Sequence, residues 1–123
     1  MKIIALIGIG SFIGGIFRYL LSQSVQSKFL SAYPFGTLTV NIIGCLAIGI
    51  VFGLSEKFNF SPEWRLFLAT GICGGFTTFS TFSFETMAML RDGQYLYSFL
   101  YIGSSVFVGL IAVYLGILLL KLL

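Results

Sequence analysis

Long apolar segments alternate with short polar segments along the whole chain. The apolar segments cover roughly residues 3–21, 34–54, 65–90 and 95–120. An α-helix rises about 1.5 Å per residue, so about 20 apolar residues cross a hydrocarbon core of about 30 Å. The pattern therefore predicts four membrane-spanning helices. The polar segments between them are too short to hold a second domain, so residues 1–123 are predicted to form one all-α domain.

Composition agrees with a membrane location. The chain is 58% hydrophobic and 9% charged, and its mean hydropathy is +1.04. Soluble domains carry about 25% charged residues, so this chain could not cover a water-facing surface. The lipid bilayer is therefore its expected surrounding, and no nucleic-acid partner is expected.

The residue types give no support for an enzyme. The chain has no histidine, and its two cysteines, Cys45 and Cys73, fall inside predicted spans as small buried side chains. Neither paired intramembrane acids nor an activated cysteine is evident, and a zinc or haem site has no histidine ligand. We therefore expect neither catalysis nor a transition-metal centre.

The third span carries an unusual run of small and hydroxyl residues. From Leu68 to Glu85 it contains three glycines and, counted from Thr70, six serines and threonines. Glycine is a poor helix former, and serine and threonine compete for backbone hydrogen bonds, so a break is predicted near residues 74–77, close to the membrane midplane. Carbonyls released at that depth need a partner. Two interpretations stay open, namely a glycine-packed continuous helix and a broken helix whose carbonyls coordinate a cation.

The basic residues are nearly balanced across the membrane. With four spans, the side of the termini carries four of them and the opposite side three, namely Lys2, Lys57, Arg65 and Lys121 against Arg18, Lys28 and Arg91. Such balance gives the positive-inside rule little to act on. It permits either a weak orientation signal or insertion in both orientations followed by antiparallel pairing.

Polar side chains gather in the half of the membrane away from the termini. They are Arg18, Thr37, Asn41, Glu85, Tyr101 and Ser105, together with Phe82. An inverted second copy would place the same polar residues in the other half of the membrane. The two-fold axis of such a dimer would give two equivalent paths across the membrane. Pairs of small residues four apart also occur in every span, such as Gly10 with Gly14 and Gly71 with Gly75. These pairs allow close helix packing, either within one subunit or between subunits.

Three motifs resemble the CrcB/Fluc family of fluoride channels. They are Gly-Gly-x-x-Arg-Tyr at residues 14–19, Gly-Thr-Leu-x-Val-Asn-x-x-Gly at 36–44, and Gly-x-x-Gly-Gly-x-Thr-Thr-Phe-Ser-Thr-Phe at 71–82. The resemblance covers all four spans, and the third motif is long and specific. It implies passive export of cytoplasmic fluoride across a bacterial plasma membrane by an antiparallel, dual-topology homodimer with two pores and a central structural sodium ion.

The resemblance also implies roles for individual residues. Phe79, Phe82 and Asn41 match the pore positions, Arg18 matches the vestibule arginine, and the carbonyls of Gly74 and Thr77 match the sodium ligands. In the fourth span, Tyr101 and Ser105 are the best candidates for the family's polar track, although Ser104 is an alternative to Ser105.

General chemistry is compatible with an anion path. Fluoride is strongly hydrated, so a pore must replace its water without holding it tightly. The Asn41 amide and the hydroxyls of Ser80, Thr81 and Ser105 supply donors, and a phenylalanine ring presents a positive edge. Glu85 would repel an anion, so we expect it to partner a neighbouring cation or hydroxyl.

Two other functions are compatible with part of the pattern. A proton-coupled small multidrug exporter also has about four spans, but it needs a deep acid, and the first span contains none. A membrane assembly protein without transport activity would leave Asn41 and the hydroxyl run unexplained.

Overall fold

The computed structural model describes all residues, 1–123, and is entirely helical apart from its connections. Its elements in chain order are α1 (Lys2–Gln26), α2 (Phe35–Phe58), α3 (Pro62–Arg65), the π-helix π1 (Leu66–Cys73), α4 (Gly74–Phe76), α5 (Phe79–Arg91) and α6 (Tyr95–Leu122). Elements α3, π1, α4 and α5 follow one another within a single span.

Four helical segments are long and apolar enough to cross a membrane, as predicted. They are Lys2–Gln26, Phe35–Phe58, Pro62–Arg91 and Tyr95–Leu122. Because a lipid-exposed backbone must satisfy its own hydrogen bonds, four such helices form a multi-pass membrane protein. Both termini consequently lie on the same side.

The first two helices are longer than the apolar runs suggested. Helix α1 continues past Leu21 to Gln26, because the serines and glutamines there are tolerated in a helical turn at the membrane surface. Helix α2 extends to Phe58 and ends at Asn59, which adopts the left-handed conformation at φ 51°. Asparagine is one of the few residues that accept this conformation, so it acts as a stop signal.

The third span is interrupted near its middle. Its start is capped by Ser61, whose side chain accepts a hydrogen bond from the Trp64 amide. Further along, Thr77 (φ −88°, ψ 160°) and Thr78 (φ −149°, ψ 118°) are extended and separate α4 from α5. The predicted break is confirmed, and it lies at the C-terminal end of the predicted segment. Gly74 itself stays helical, at φ −63° and ψ −39°.

Close glycine contacts pack α1 on the third span. A Cβ atom added to Gly14 would collide with the carbonyl oxygen of Ile72, and one added to Gly75 would lie 2.6 Å from the carbonyl oxygen of Ser11. Helices α2 and α6 approach in the same way, since a Cβ at Gly116 would lie 2.6 Å from the Leu46 carbonyl oxygen. These glycines therefore serve packing within one subunit, which spacing alone did not establish.

One face of the third span is not covered by the rest of the chain. Gly74 and Ser80 are exposed there, and the Phe79 side chain is 78% exposed. Many other apolar side chains are exposed as well, as expected where lipid is the solvent. The uncovered face differs because it includes the extended backbone of the break.

Candidate functional site

Asn41 joins α2 to the break in the third span. Its Oδ1 accepts a hydrogen bond of 2.8 Å from the Thr78 amide, and its Nδ2 donates one of 3.0 Å to the Thr78 carbonyl. In an uninterrupted helix, the Thr78 amide would bond the carbonyl four residues earlier, that of Gly74. The asparagine side chain thus replaces a helical partner and keeps one amide hydrogen for another acceptor.

Thr78 also begins the next helix. Its hydroxyl accepts a hydrogen bond of 3.1 Å from the Thr81 amide, which is an N-cap contact. The same hydroxyl lies 3.3 Å from the Ser80 hydroxyl. The break is therefore fixed from both sides, by Asn41 across the gap and by the Thr78 cap along the chain.

Two carbonyl groups at the break are released from helical hydrogen bonding. The Gly74 carbonyl loses the Thr78 amide to Asn41, and the Thr77 carbonyl loses the Thr81 amide to the Thr78 hydroxyl. The Thr77 amide and hydroxyl both donate instead to the carbonyl of Cys73, at 3.0 and 3.1 Å. Backbone oxygens are suitable ligands for a hard cation, so the donor chemistry at Gly74 and Thr77 fits sodium.

Arg18 reaches the break from α1. Its Nη1 lies 3.5 Å from the Thr77 carbonyl oxygen, at the long end of hydrogen bonding, and its side chain is half-buried. The structure thus places the guanidinium beside the released backbone of the break.

Glu85 is held by two hydroxyl groups from neighbouring spans. Thr37 of α2 donates to its Oε2 at 3.1 Å, and Tyr101 of α6 donates to its Oε1 at 2.9 Å. Thr37 and Tyr101 are both buried, and Tyr101 is fully so. Glu85 therefore partners hydroxyls, in agreement with the role expected from its position beside the aromatic residues.

Three aromatic rings continue from Tyr101 towards the break. The ring centroids of Phe82 and Tyr101 are 5.0 Å apart, and those of Phe79 and Phe82 are 5.6 Å apart. Their planes are tilted by 51° and 44°, so the rings present edges as well as faces to their neighbours. Residues 79 and 82 share one face of α5, as their spacing predicted.

Two clefts flank this aromatic row. The outer cleft has a volume of about 410 Å³, and its polar lining includes Thr37, Thr81 and Glu85. The inner cleft, of about 310 Å³, is lined by residues of the break and the facing turn of α2, including Asn41, Gly74, Thr78 and Phe79. The inner cleft therefore reaches Phe79 at one end of the row, and the outer cleft reaches Glu85, which bonds Tyr101 at the other end.

The hydroxyls of the fourth span differ in their bonding. The Ser104 hydroxyl donates to the Leu100 carbonyl at 2.6 Å and lies 3.4 Å from the Tyr33 hydroxyl. The Ser105 hydroxyl is buried and has no hydrogen-bond partner. A buried hydroxyl without a partner is uncommon, and it distinguishes Ser105 from its neighbour.

Five of the ten predicted site residues line these two clefts, namely Asn41, Gly74, Thr77, Phe79 and Thr81. The structure brings Phe79, Phe82, Asn41, Thr81 and Tyr101 together around α5, and it places Ser80 on the uncovered face. Sequence reasoning missed the contribution of Thr78. Threonine is a preferred residue directly before a helix, so a helix restarting after the break would have identified Thr78 as a candidate N-cap.

The chain matches known proteins over nearly its whole length. Residues 5–117 match the family model described as CrcB-like protein, Camphor Resistance (CrcB). A relative from Flavobacterium psychrophilum, named fluoride-specific ion channel FluC, is 44% identical over 122 residues, which cover 98% of each chain. The same name is given to a relative from Leptospira interrogans, 45% identical over 98% of this chain and 95% of its own. It is also given to one from Gloeothece citriformis, 48% identical over 96% of each chain.

These matches agree with the geometry around the broken third span. A family model covering residues 5–117 includes most of each of the four spans and every residue of the two clefts. The chain belongs to the CrcB-like protein family.

Proposed function

We propose that the chain is a passive, fluoride-selective ion channel that exports cytoplasmic fluoride. The observation that carries the proposal is the row Phe79, Phe82 and Tyr101, which runs between a polar cleft and the Asn41–Thr78 contact. Ring edges and single hydrogen-bond donors suit a small anion that must also leave again. Relatives named fluoride-specific ion channels, at 44–48% identity, support the same function.

The row offers few hydrogen-bond donors, and protein acceptors leave some of their hydrogens unused. Asn41 keeps one amide hydrogen after bonding Thr78, and the buried Ser105 hydroxyl has no protein partner. Thr81 adds a hydroxyl at the outer cleft, and Ser80 adds one beside Thr78 at the break. Several weak sites in sequence favour conduction, because no single site holds the ion tightly.

Glu85 fits an anion path only because of its partners. An uncompensated carboxylate would repel fluoride, but Thr37 and Tyr101 both direct hydroxyl hydrogens at its two oxygens. We infer that these bonds fix the carboxylate between α2 and α6. Arg18 supplies a positive charge that favours anions on the same half of the membrane.

The proposed working unit is an antiparallel homodimer inserted in both orientations. The cleft lined by Thr37, Thr81 and Glu85 lies in the half of the membrane away from the termini, and the face with Gly74, Phe79 and Ser80 is uncovered. An inverted copy on that face would extend each path through the second half, and symmetry would give two pores. The near balance of basic residues supports this arrangement.

A structural sodium ion is proposed at the centre of that dimer. The carbonyls of Gly74 and Thr77 would hold it, with the same pair from the second copy, because both groups lack helical partners in the chain. Sodium would supply the positive charge that satisfies these oxygens in a low-dielectric setting. In a bacterial cell the dimer would lie in the plasma membrane.

A flux measurement tests the function. Purified protein is reconstituted into liposomes loaded with potassium fluoride, and external fluoride is followed with an electrode after a potassium ionophore is added. Efflux well above that of protein-free liposomes is expected, while chloride-loaded liposomes should release little chloride. Equal rates with and without protein would contradict the proposal.

A labelling measurement tests the topology. Lys57 is exposed on the side of the termini, so a Lys57→Cys variant, with both native cysteines replaced by alanine, reports the orientation of each copy. A membrane-impermeant thiol reagent should label about half of the protein in intact cells if both orientations are equally populated. Labelling of all or none would contradict dual insertion.

A further inference from the structure

The segment between α1 and α2, residues 27–34, receives three hydrogen bonds at or next to it from one side chain, that of Gln26. Gln26 Nε2 donates to the carbonyls of Ser31, at 3.3 Å, and of Tyr33, at 3.1 Å. Its Oε1 accepts a hydrogen bond of 2.9 Å from the Gly36 amide. A glutamine amide has two hydrogens to donate, and Gln26 uses both of them on the segment.

The bond to Gly36 explains how α2 begins. The first amides of a helix have no partner within it, and Pro34, the residue before α2, offers no side-chain cap. Gln26 supplies the missing acceptor from the end of α1. The same side chain therefore joins the last turn of α1, the connecting segment and the first turn of α2.

Tyr33 transmits this fixed position to the fourth span. Its ring packs edge to face against Tyr97, with centroids 5.6 Å apart, and against Tyr101, with centroids 5.8 Å apart. Its hydroxyl lies 3.4 Å from the Ser104 hydroxyl. Tyr101 is thus enclosed by the Tyr33 ring on one side and the Phe82 ring on another, and its hydroxyl donates to Glu85.

We propose that Gln26 and Tyr33 are positioning residues for Tyr101. Gln26 fixes the segment, Tyr33 lies against the Tyr101 ring, and the Tyr101 hydroxyl is thereby aimed at Glu85. This role requires no contact with fluoride, although Gln26 also lines the outer cleft. The proposal rests on the proposed channel function, because its consequence is an effect on fluoride flux that passes through Tyr101.

The first test removes the hydrogen bonds of Gln26 without changing its length. The variant Gln26→Met keeps the side-chain volume but neither donates nor accepts, and Gln94→Met is its control. Gln94 is partly buried like Gln26, lies on the same side of the membrane, and its side chain makes no hydrogen bond in the structure. Fluoride efflux should fall on the order of tenfold for Gln26→Met, the effect of losing one or two hydrogen bonds, and stay within about twofold for Gln94→Met.

The second test distinguishes positioning from simple anchoring. Gln26→Met is combined with Tyr101→Phe, which removes the hydroxyl that bonds Glu85. If Gln26 acts through Tyr101, the double variant should conduct no more slowly than Tyr101→Phe alone, because contacting residues of one network are not additive. Independent, multiplicative losses would overturn the proposal.

The third test uses Tyr33 and guards against variants that fail to fold. Tyr33→Phe keeps the ring against Tyr101 and should keep flux within about twofold, whereas Tyr33→Leu should lower it on the order of tenfold. Size-exclusion elution should be the same for both. Equal flux in the two variants, or loss of assembly in step with flux, would overturn positioning by the ring. Wild-type protein that released no fluoride would contradict the channel function itself.

Discussion

The side-chain amide of Asn41 and the backbone of Thr78 are joined by two hydrogen bonds, of 2.8 and 3.0 Å. The pair crosses from α2 to the break in the third span, so it occupies the place of a missing helical hydrogen bond. Because Thr78 also caps α5, the direction of α5 depends on the same contact. Phe79 and Phe82 are therefore positioned from α2 as well as from their own helix.

Replacing Asn41 by aspartate should suppress fluoride flux. In Asn41→Asp the remaining acceptor still bonds the Thr78 amide, but the second oxygen faces the Thr78 carbonyl and adds a negative charge beside an anion path. We expect a loss on the order of tenfold or more in the liposome efflux measurement, with an unchanged elution volume in size-exclusion chromatography. Asn59→Asp is the control, since Asn59 is an exposed helix-ending residue. Unchanged flux in Asn41→Asp would contradict the pore role of Asn41.

Removing the Thr78 hydroxyl should destabilise the protein. Thr78→Val keeps the side-chain shape but leaves the Thr81 amide without its cap, which costs about 1 kcal/mol for N-caps in general. Thr78→Ser preserves the oxygen and is the control. Thermal unfolding in detergent should occur at a lower temperature for valine than for serine. An equal midpoint in the two variants would show that the cap contributes little.

Substitution by alanine should affect only one of two adjacent glycines in α1. The Cβ atom of Gly14→Ala would collide with the Ile72 carbonyl oxygen, while that of Gly15→Ala would meet no atom within 4 Å. Overpacking of this kind costs roughly 1–3 kcal/mol, since the nearest atoms belong to backbone that cannot easily move. Gly14→Ala should lower the yield of monodisperse protein and its unfolding temperature, whereas Gly15→Ala should change neither. The reverse result would contradict the packing of α1 on π1.

The glycine pair illustrates how far the sequence alone could be taken. Four apolar runs were enough to predict four spans, because the membrane sets helix length, and glycines with hydroxyl residues were enough to predict the break. Contacts between helices could not be predicted. Residue spacing shows which side chains share a face of one helix, but it does not show how far that helix is shifted along its axis relative to a neighbour. Spacing also gave no indication of π1, or that Gln26, in the last turn of α1, would bond the first turn of α2.

The hydrogen-bond partners of Glu85 likewise could not be predicted from the sequence. The sequence placed Glu85 one turn after Phe82 and grouped it with Thr37 and Tyr101 in one half of the membrane. Only the three-dimensional structure shows that both hydroxyls donate to it. The difference matters because a free carboxylate favours cation binding, whereas a carboxylate with two hydroxyl donors is a fixed part of the lining of the outer cleft.

Substituting Phe82 should reduce flux without unfolding the protein. Phe82→Ile removes a ring that contacts both Phe79 and Tyr101, and with it the positive ring edge, while it keeps an apolar side chain of membrane-compatible type. Fluoride efflux should fall on the order of tenfold, because the variant loses two aromatic pairs, each worth about 1 kcal/mol. Phe107→Ile is the control, since Phe107 is 68% exposed and belongs to no cleft described above. Equal losses in both variants would indicate a general packing effect.

Removing sodium should weaken the assembly that the channel needs. If the carbonyls of Gly74 and Thr77 hold sodium between two copies, the ion binds only the folded dimer, and at 100 times its dissociation constant it adds about 2.7 kcal/mol. The unfolding temperature of purified protein should therefore rise with sodium concentration and reach a plateau, at constant ionic strength kept with choline chloride. Potassium, being larger, should raise it less. Protein exchanged into choline chloride should lose both dimer elution and fluoride flux, and sodium should restore them. Stability and flux that are indifferent to this exchange would contradict a structural sodium ion, and the released carbonyls would then need another partner.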